Sequence, residues 1–576
     1  MGLDEEKQAS ESRPPSVETS STANGMQTPE MSDKDANRDE EKAAVETEKP
    51  VEYPKGLEMF FIMLALVLSI TLCSLDQTIV ATAVPKITDQ FGRLQDISWY
   101  GSAYFLTLGA FQSLWGKIYK FFPLKISFLA SIFIFELGSL ISAVARDSMT
   151  VIVGRAIAGL GASGVAPGVY TIPAFIAAPE KRATYTGFIG LSYGIAAVAG
   201  PLIGGGLTDG ASWRWCFYIN LPIGGLAILV ILLTFKTPAG VKVVDATLKE
   251  KLLQMDFMGT ALVMGASLSF LLALQYGGVT HAWNSSVVIG LLVGFVLMII
   301  TLIAVEFWLG ERAMLTPRLI RQRTVWVNAV WSFFFAGSYF ITLYYLPIYF
   351  QSIDNQSPIG SGVRNIPLIA LFSVATFASG KAITKTGTAA PYLVVSSIIV
   401  TIASGLFYTL DIGTSTGKWV GYQILAGFGY GVGLQVPVVI SQAFAAPSDM
   451  APVTSIIICE FPFALSSNWL TFNFTIIVSR TIGGTFLITA AQSGFINQII
   501  HKLSSTAPTI DPDLVTETGA TTLRQNFSGA ELNGILHAYV WGIKVAFAIT
   551  IAACGITVIT SLCTKWTNIH LKKQIS

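Results

Sequence analysis

The sequence predicts an all-α polytopic membrane protein, and three observations carry that reading. The 576 residues are 52% hydrophobic and only 12% charged, where a soluble globular domain carries about 25% charged residues. The mean hydropathy is +0.60. Apolar runs recur near the length of about 20 residues that a spanning helix needs, with room for about fourteen of them.

The near-zero net charge hides an asymmetry. Residues 1–52 carry fourteen Asp and Glu against six Lys and Arg. This segment is rich in Ser, Thr and Pro and poor in aromatics, so it cannot form a core and reads as a disordered tail. It has no basic stretch followed by an apolar one, as a signal peptide would. Gly2 is not followed by Ser or Thr at position 6, which is Glu6, so the myristoylation pattern fails.

The spans follow in order. The first runs from about Leu57 to Val84, the second from Trp99 to Trp115, the third from Leu124 to Ala145 and the fourth from Thr150 to Tyr170. The fifth is the glycine-rich stretch around Gly187–Gly206. The sixth follows W-R-W-C-F-Y-I-N-L-P-I-G, Trp213–Gly224. The seventh and eighth are Phe257–Tyr276 and Val287–Trp308. The ninth is Val325–Phe350, and Asn365–Ala382, Pro391–Leu410 and Trp419–Phe444 come next. The thirteenth lies within Val453–Ala491 and the fourteenth is Ala538–Leu562. Basic residues gather in alternate loops: Lys117, Lys120, Lys125, Lys181, Arg182, the Lys236–Lys251 and Arg312–Arg323 groups, Lys381 and Lys385. The basic side is expected in the cytosol, with both termini there.

The fifth span is organised by small residues. Gly187, Gly190 and Gly194 are followed by Gly200, Pro201, Gly204, Gly205 and Gly206. Glycines three or four apart make a flat helix face on which another backbone can rest closely. Pro201 removes a backbone hydrogen bond and permits a bend. Such a span suits either a tightly packed helix pair or a moving interface.

Four ionisable or loop features stand out. Arg155 lies within the fourth span, in I-V-G-R-A-I-A-G-L-G-A-S-G, where a charge is costly and faces a cavity or a partner. Asp76, in L-D-Q-T-I-V, is a carboxylate whose proton affinity burial raises and a nearby Arg lowers. Glu136 falls mid-span in F-I-F-E-L-G-S; it could pair with Arg155, bind a cationic substrate or carry a proton. Gly116, Lys117 and Lys125 mark a short basic loop fit for a gate. Gln423, Gln435, Asn328 and Tyr345 are candidates for a cavity lined by amides and aromatics. The G-x-G-x-x-G at Gly159, Gly161 and Gly164 sits inside an apolar span, so helix packing explains it better than a dinucleotide. Cys73, Cys216, Cys459, Cys554 and Cys563 read as buried hydrophobes. The four histidines offer no metal spacing. No cofactor is expected, and the absence of a Walker motif points to an ion gradient as the energy source.

The pattern at Gly194, Gly200, Pro201, Gly204 and Gly205 resembles the antiporter motif of the major facilitator superfamily. The stretches around Asp76 and Arg155 resemble the first- and fourth-span motifs of its fourteen-span drug:proton antiporters, with Ala81 where Asn is usual. The stretches at Trp213–Gly224, Tyr345–Gln351 and Ser361–Arg364 are similar to fungal toxin and secondary-metabolite efflux members. The loop at Gly116 departs from the superfamily's pattern: Lys120 stands where an Asp is usual, which puts a latch built on that Asp in doubt.

The resemblance implies two six-helix bundles with two extra helices between them. Residues 1–54 are then a cytosolic tail, 55–236 the first bundle and 237–323 a basic loop with two linker spans. Residues 324–563 are the second bundle and 564–576 a second tail. It also implies proton-coupled efflux of a bulky, mostly apolar metabolite, mycotoxin or drug, with Asp76 and Arg155 in the coupling. The expected partners are that small molecule and the lipid bilayer, not nucleic acid, and the expected state is a monomer in the plasma membrane. The alternatives are a plasma-membrane or vacuolar transporter of amino acids, polyamines or siderophores, and a non-transporting receptor. Asn526, in the sequence Asn-Phe-Ser, is a glycosylation candidate.

One stretch does not fit. Residues 460–480 are surplus to a single thirteenth span, and Pro462 with Ser466, Ser467 and Asn468 would break a helix there. A retained intron is the reading, with a re-entrant loop as the alternative.

Overall fold

A computed structural model of the chain describes residues 54, 56–91, 97–236, 244–278, 280–446, 449–459, 480–517 and 523–566. The expectations for the acidic tail, for residues 460–479, for Arg93 and for the end of the basic C-terminal tail fall outside these residues.

Every regular element described is helical, because a backbone in lipid must satisfy its own polar groups. The first half holds α1 (Leu57–Phe91), α2 (Ile97–Phe121), α3 (Leu124–Ala143), α4 (Ser148–Ile176), α5 (Pro179–Gly210), the short α6 (Trp215–Tyr218) and α7 (Asn220–Thr234). Next come α8 (Leu248–Leu253), α9 (Phe257–Tyr276), α10 (Ser286–Leu309) and α11 (Pro317–Ile320). The second half holds α12 (Arg323–Ser352), α13 (Pro358–Arg364), α14 (Ile366–Thr386), α15 (Ala390–Tyr408), α16 (Thr416–Gly433), α17 (Val436–Phe444) and α18 (Met450–Cys459). It ends with α19 (Arg480–Thr506), α20 (Pro512–Glu517), α21 (Leu523–Asn526) and α22 (Gly529–Leu562).

Eleven of the described helical stretches are long and apolar enough to cross a membrane. The long α2, α5 and α19 are not among them, since Gly, Ser, Thr and basic residues dilute their apolar content. The twelfth predicted span is broken at Leu434–Gln435 into α16 and α17.

Starts are set by side-chain caps. Asp147 accepts from Thr150 N at 2.9 Å to open α4, and Asp256 accepts from Gly259 N at 2.8 Å to open α9. Each cap satisfies a backbone donor that a helix start leaves free.

Packing sorts the helices into two groups. α1 lies on α5 and α7, and α4 on α2 and α3; in the other group α22 lies on α12, α15 and α19, and α14 on α16. The linker helices α9 and α10 pair with each other, and α9 touches α2 and α19. Only 17% of the most apolar part of α10 is buried, so this helix faces outward. The stripe Gly159, Gly161 and Gly164 lets α4 approach the backbones of α2 and α3: a side chain there would strike Tyr104 O, the Phe135 backbone or Trp115.

The groups meet along two seams. In one, Gly187, Gly190 and Gly194 of α5 lie against Phe372, Ser373, Thr376 and Phe377 of α14. In the other, α18 packs on α2 and α4, with Pro452 and Ser455 over Gly116. Both seams lie in the half nearer the basic loops. At the opposite end, Gly101 of α2 and Gly205, Gly206 and Gly210 of α5 face open space. The two groups therefore pack closely at the basic end, and at the opposite end α13 still touches α5.

Candidate functional site

Asp76 and Arg155 are 79 residues apart in sequence and touch in the interior of the first group. α1 brings Asp76 and α4 brings Arg155; their side chains are 0% and 2% exposed, and Nη1 lies 2.5 Å from Oδ2. Arg155 Nε donates to Tyr100 O at 3.0 Å, and the guanidinium lies 4.4 Å over the Tyr104 ring. Asn220 of α7 completes the group: its Nδ2 donates to Asp76 Oδ1 at 3.0 Å and to Ser139 Oγ at 3.1 Å. A charge pair sealed this way has exchanged its hydration for fixed partners. Removing either member leaves the other buried and unpaired, at a cost of about 3–5 kcal/mol.

Glu136 does not join Arg155. It is 7% exposed, neither carboxyl oxygen has a hydrogen-bond partner among the described residues, and Oε1 rests over the backbone of Gly224 on α7.

Beside the ion pair is a cavity of about 250 Å³ between the two groups. Its polar lining includes Gln77, Tyr193, Tyr344 and Gln492, and its aromatic wall Phe105 and Phe340. Gln77 follows Asp76 directly in the chain, and Cys73 lies one turn before it on the same wall. The volume is close to the lower end of ligand pockets, about 300–1,000 Å³. Its walls come from separate helix groups, so a change in their separation changes its size.

The cavity candidates are placed elsewhere. Gln423, Gln435, Asn328 and Tyr345 are all buried, and none lies on this wall. Tyr345 meets Phe495 within the second group, while its neighbour Tyr344 faces the cavity. One residue turns a helix by about 100°, from one face to another. Asn328 Nδ2 donates to Thr324 O at 2.7 Å, within its own helix. Gln435 lies against Gly190 at the seam with α5.

Within the five-residue motif, Gly194 faces Phe372 and Ser373, and Gly200 faces Thr78 on α1. Gly204 O accepts from Cys216 Sγ at 3.7 Å, and Gly205 faces open space. α5 is continuous through position 201.

At the basic end, charges cross the seam. Asp449, at the head of α18, is met by Lys120 of α2 at 3.1 Å and by both Arg318 terminal nitrogens at 2.9 and 3.1 Å. Burial alone would raise the Asp449 carboxyl; the bonds from Arg318 and Lys120 outweigh it and hold it below the usual carboxylate range. Arg318 also bonds Glu311, and Lys117 Nζ donates to Glu311 O at 2.8 Å. The loop carrying Glu311 is tied to the linker helices: Asp256 accepts from Met314 N and Glu306 from Leu315 N. Lys125 instead donates to Leu232 O within the first group. Lys120, standing where the pattern that the Gly116 loop resembles has Asp, is met here by a carboxylate at the head of α18. Sequence reading missed Asn220, Asp449 and Arg318. Asn220 is a single letter of the Trp213–Gly224 stretch, and Asp449 lies between the predicted spans Trp419–Phe444 and Val453–Ala491.

Two helix groups closing around a cavity, with a buried ion pair beside it, define a transporter of the alternating two-bundle type. A family model described as Major Facilitator Superfamily matches residues 66–459. The chain is 50% identical over 532 residues to the MFS-type transporter grgE of a Penicillium species, covering 92% of this chain and 91% of that one. It is 46% identical over 516 residues to the probable efflux pump gsfJ of Penicillium aethiopicum, covering 89% of each. Its fold matches a crystal structure of a double-tryptophan XylE mutant at a TM-score of 0.52 and 12% identity, covering 90% of this chain and 98% of that one. The chain belongs to the Major Facilitator Superfamily. It is a multi-pass membrane transporter that binds a small molecule, rather than an enzyme.

Proposed function

We propose that the protein is a proton-coupled exporter of a bulky, mostly apolar secondary metabolite, mycotoxin or drug. The observation that carries this is the sealed Asp76–Arg155 pair, one residue from the wall of a cavity between the two bundles. A carboxylate beside a cation stays ionised; separated from it and buried, it binds a proton. Motion of α1 against α4 would therefore exchange a proton for an ion pair, next to the place where substrate binds. The mixed lining of aromatics, amides and aliphatics supports a ligand with a large apolar body and a few polar groups. The relatives' names, an MFS-type transporter and a probable efflux pump, support export.

In this reading the basic end is cytosolic, both termini lie there, and the chain holds fourteen spans as a monomer in the plasma membrane. The arrangement described above is then the one closed to the cytosol.

The test is efflux of a fluorescent apolar drug from vesicles under an imposed proton gradient. Asp76→Asn and Arg155→Ala each lose proton-driven efflux at matched membrane expression. Normal efflux by either variant removes that residue from the mechanism. The double variant Asp76→Asn/Arg155→Gln leaves no unpaired charge; it regains thermal stability while efflux stays absent.

A further inference from the structure

We propose that Glu136 is a neutral carboxylic acid in this conformation, and that through Asn220 it sets the proton affinity of Asp76. This rests on the coupling role proposed for Asp76 and adds two positioning residues to it.

The geometry is that of a chain of groups with an open link at each of two residues on facing turns of α3 and α7. Asn220 Nδ2 donates to Asp76 Oδ1 and Ser139 Oγ, at 3.0 and 3.1 Å. Asn220 Oδ1 is buried and has no donor among the described residues. Both oxygens of Glu136 are buried and equally without a donor. Ser139 lies three residues beyond Glu136 on α3, and Gly224, against which Glu136 Oε1 rests, lies four residues beyond Asn220 on α7. The two orphaned groups thus share one facing turn of α3 and α7.

A buried carboxylate with no donor is expensive, and so is an amide carbonyl with none. One proton removes both costs. A protonated Glu136 has an O–H to donate, and Asn220 Oδ1 accepts it. That bond holds the amide with its nitrogen toward Asp76, where it can only donate. Donation to Asp76 Oδ1 favours the ionised form of Asp76. The titratable groups facing Glu136 are Asp76 and Cys73 of α1; Arg155 of α4 faces Asp76 from the other side. An ionised Glu136 would put a second negative charge beside Asp76 with only one arginine to balance the two. The proton stays on Glu136 while Asp76 remains a carboxylate paired with Arg155, and no other bond forms or breaks.

Gly224 agrees with this arrangement. A side chain at that position would collide with Glu136 Oε1, so the carboxyl keeps its place only because α7 presents bare backbone.

The experiment uses the purified full-length protein in lipid and takes the infrared difference spectrum between the parent and Glu136→Gln at neutral pH. The expected result is a carboxylic C=O stretch present in the parent and missing from the variant. A difference spectrum showing a carboxylate in its place overturns the proposal. This readout needs no transport, so it stands or falls separately from the exporter reading. The second arm is the pH profile of efflux. Glu136→Leu and Asn220→Leu move its midpoint by about one unit, a tenfold change in proton affinity. Glu136→Gln, whose amide N–H replaces the O–H, brings the midpoint back toward the parent's. Midpoints unmoved by both leucine variants would overturn the proposal, as would a failure of Gln to restore what Leu displaces.

Discussion

Lys120 of the first bundle and Asp449 of the second meet at 3.1 Å, and the same carboxylate takes two further bonds from Arg318 beside the linker helices. The three come from different parts of the chain, and the two helix bundles cannot part at this end without breaking the group. The Asp449 side chain is 5% exposed whereas Arg318 is 49% exposed, so the cost of losing the acceptor falls mainly on the buried contacts. A hydrogen bond to a charged group is worth about 1.5–3 kcal/mol, and solvent around Arg318 reduces its share. Asp449→Ala is expected to shift the population toward opening at the basic end by about 5- to 100-fold. The measurement is maleimide labelling of Ala166→Cys, a cavity position, from that side. Labelling no faster than in the parent background would exclude a latch. The exchange of charges, Lys120→Asp with Asp449→Lys, restores only part of the closure, because Arg318 then faces a lysine.

The same group predicts how closure depends on pH. The Asp449 carboxyl is held below its ordinary value, so its contribution is complete above the unfolded value of about 3.9 and is lost as pH falls through the folded one. Labelling of the cavity from the basic end is therefore expected to be flat from about pH 5 to 8 as far as Asp449 is concerned. A step in that window that Asp449→Asn removes would contradict the assignment.

The glycines of α5 predict two opposite traps. Gly190 lies against Thr376 and Gln435 in the closed seam, while Gly205 faces open space. Leucine at position 190 wedges the bundles apart at the basic end; leucine at position 205 obstructs closure at the other. Both variants lose transport, but Gly190→Leu raises labelling of the cavity from the basic end and Gly205→Leu raises it from the opposite end. Identical labelling patterns would mean that these glycines do not lie on the moving surfaces.

Asn526 tests the orientation. It is exposed at the end of α21, and Arg524 in the same short helix donates to Ile353 O just beyond α12, at the end opposite the basic loops. An impermeant reagent added outside intact cells is expected to label Asn526→Cys. An enzyme that removes N-linked sugars shifts the parent's mobility if the site is used. Labelling that requires entry into the cytosol would reverse the assignment of the two ends.

Charges in apolar runs are conspicuous, so Asp76, Arg155 and Glu136 could each be read from sequence; their grouping could not. The pairing of Asp76 with Arg155 depends on how α1 crosses α4, and nothing local to either residue encodes that crossing. Asn220 was invisible for the same reason, since its importance lies in its two partners from other helices, Asp76 of α1 and Ser139 of α3. The cavity wall failed differently. Tyr344 and Tyr345 are equally aromatic, and only the rotation of α12 within the bundle decides which one faces the cavity. The basic end shows a motif losing its expected residue while a charge pair stands at that place, with the carboxylate supplied by Asp449 before α18. Span length and glycine spacing were legible because they are local properties, and the two-bundle architecture followed only from the motifs' resemblance to a known family.

The last prediction concerns the join between α18 and α19. These helices have 10 and 27 residues, together about as long as α1 with its 35. α18 packs on α2 and α4 at the basic end, and α19 continues past the cavity to α12 and α22. They occupy the two ends of one span, with residues 460–479, outside the described residues, inserted between them. The genetic code allows an intron here. A Cys459 codon of TGT holds the GT of a donor in its second and third bases. Ile477 followed by Val478, read as ATA and GTN, holds the AG of an acceptor. Excision between those points keeps the reading frame and leaves a TTN codon, Phe or Leu, joining Ile458 to Ser479. We predict that the mature message has this join and that the shorter protein carries the transport activity, with α18 and α19 as one continuous helix. Sequencing the reverse-transcribed message decides the first point, and assaying both forms decides the second. A mature message that encodes Phe461 to Ser479, with transport lost on their deletion, would make the segment a working part of the protein instead.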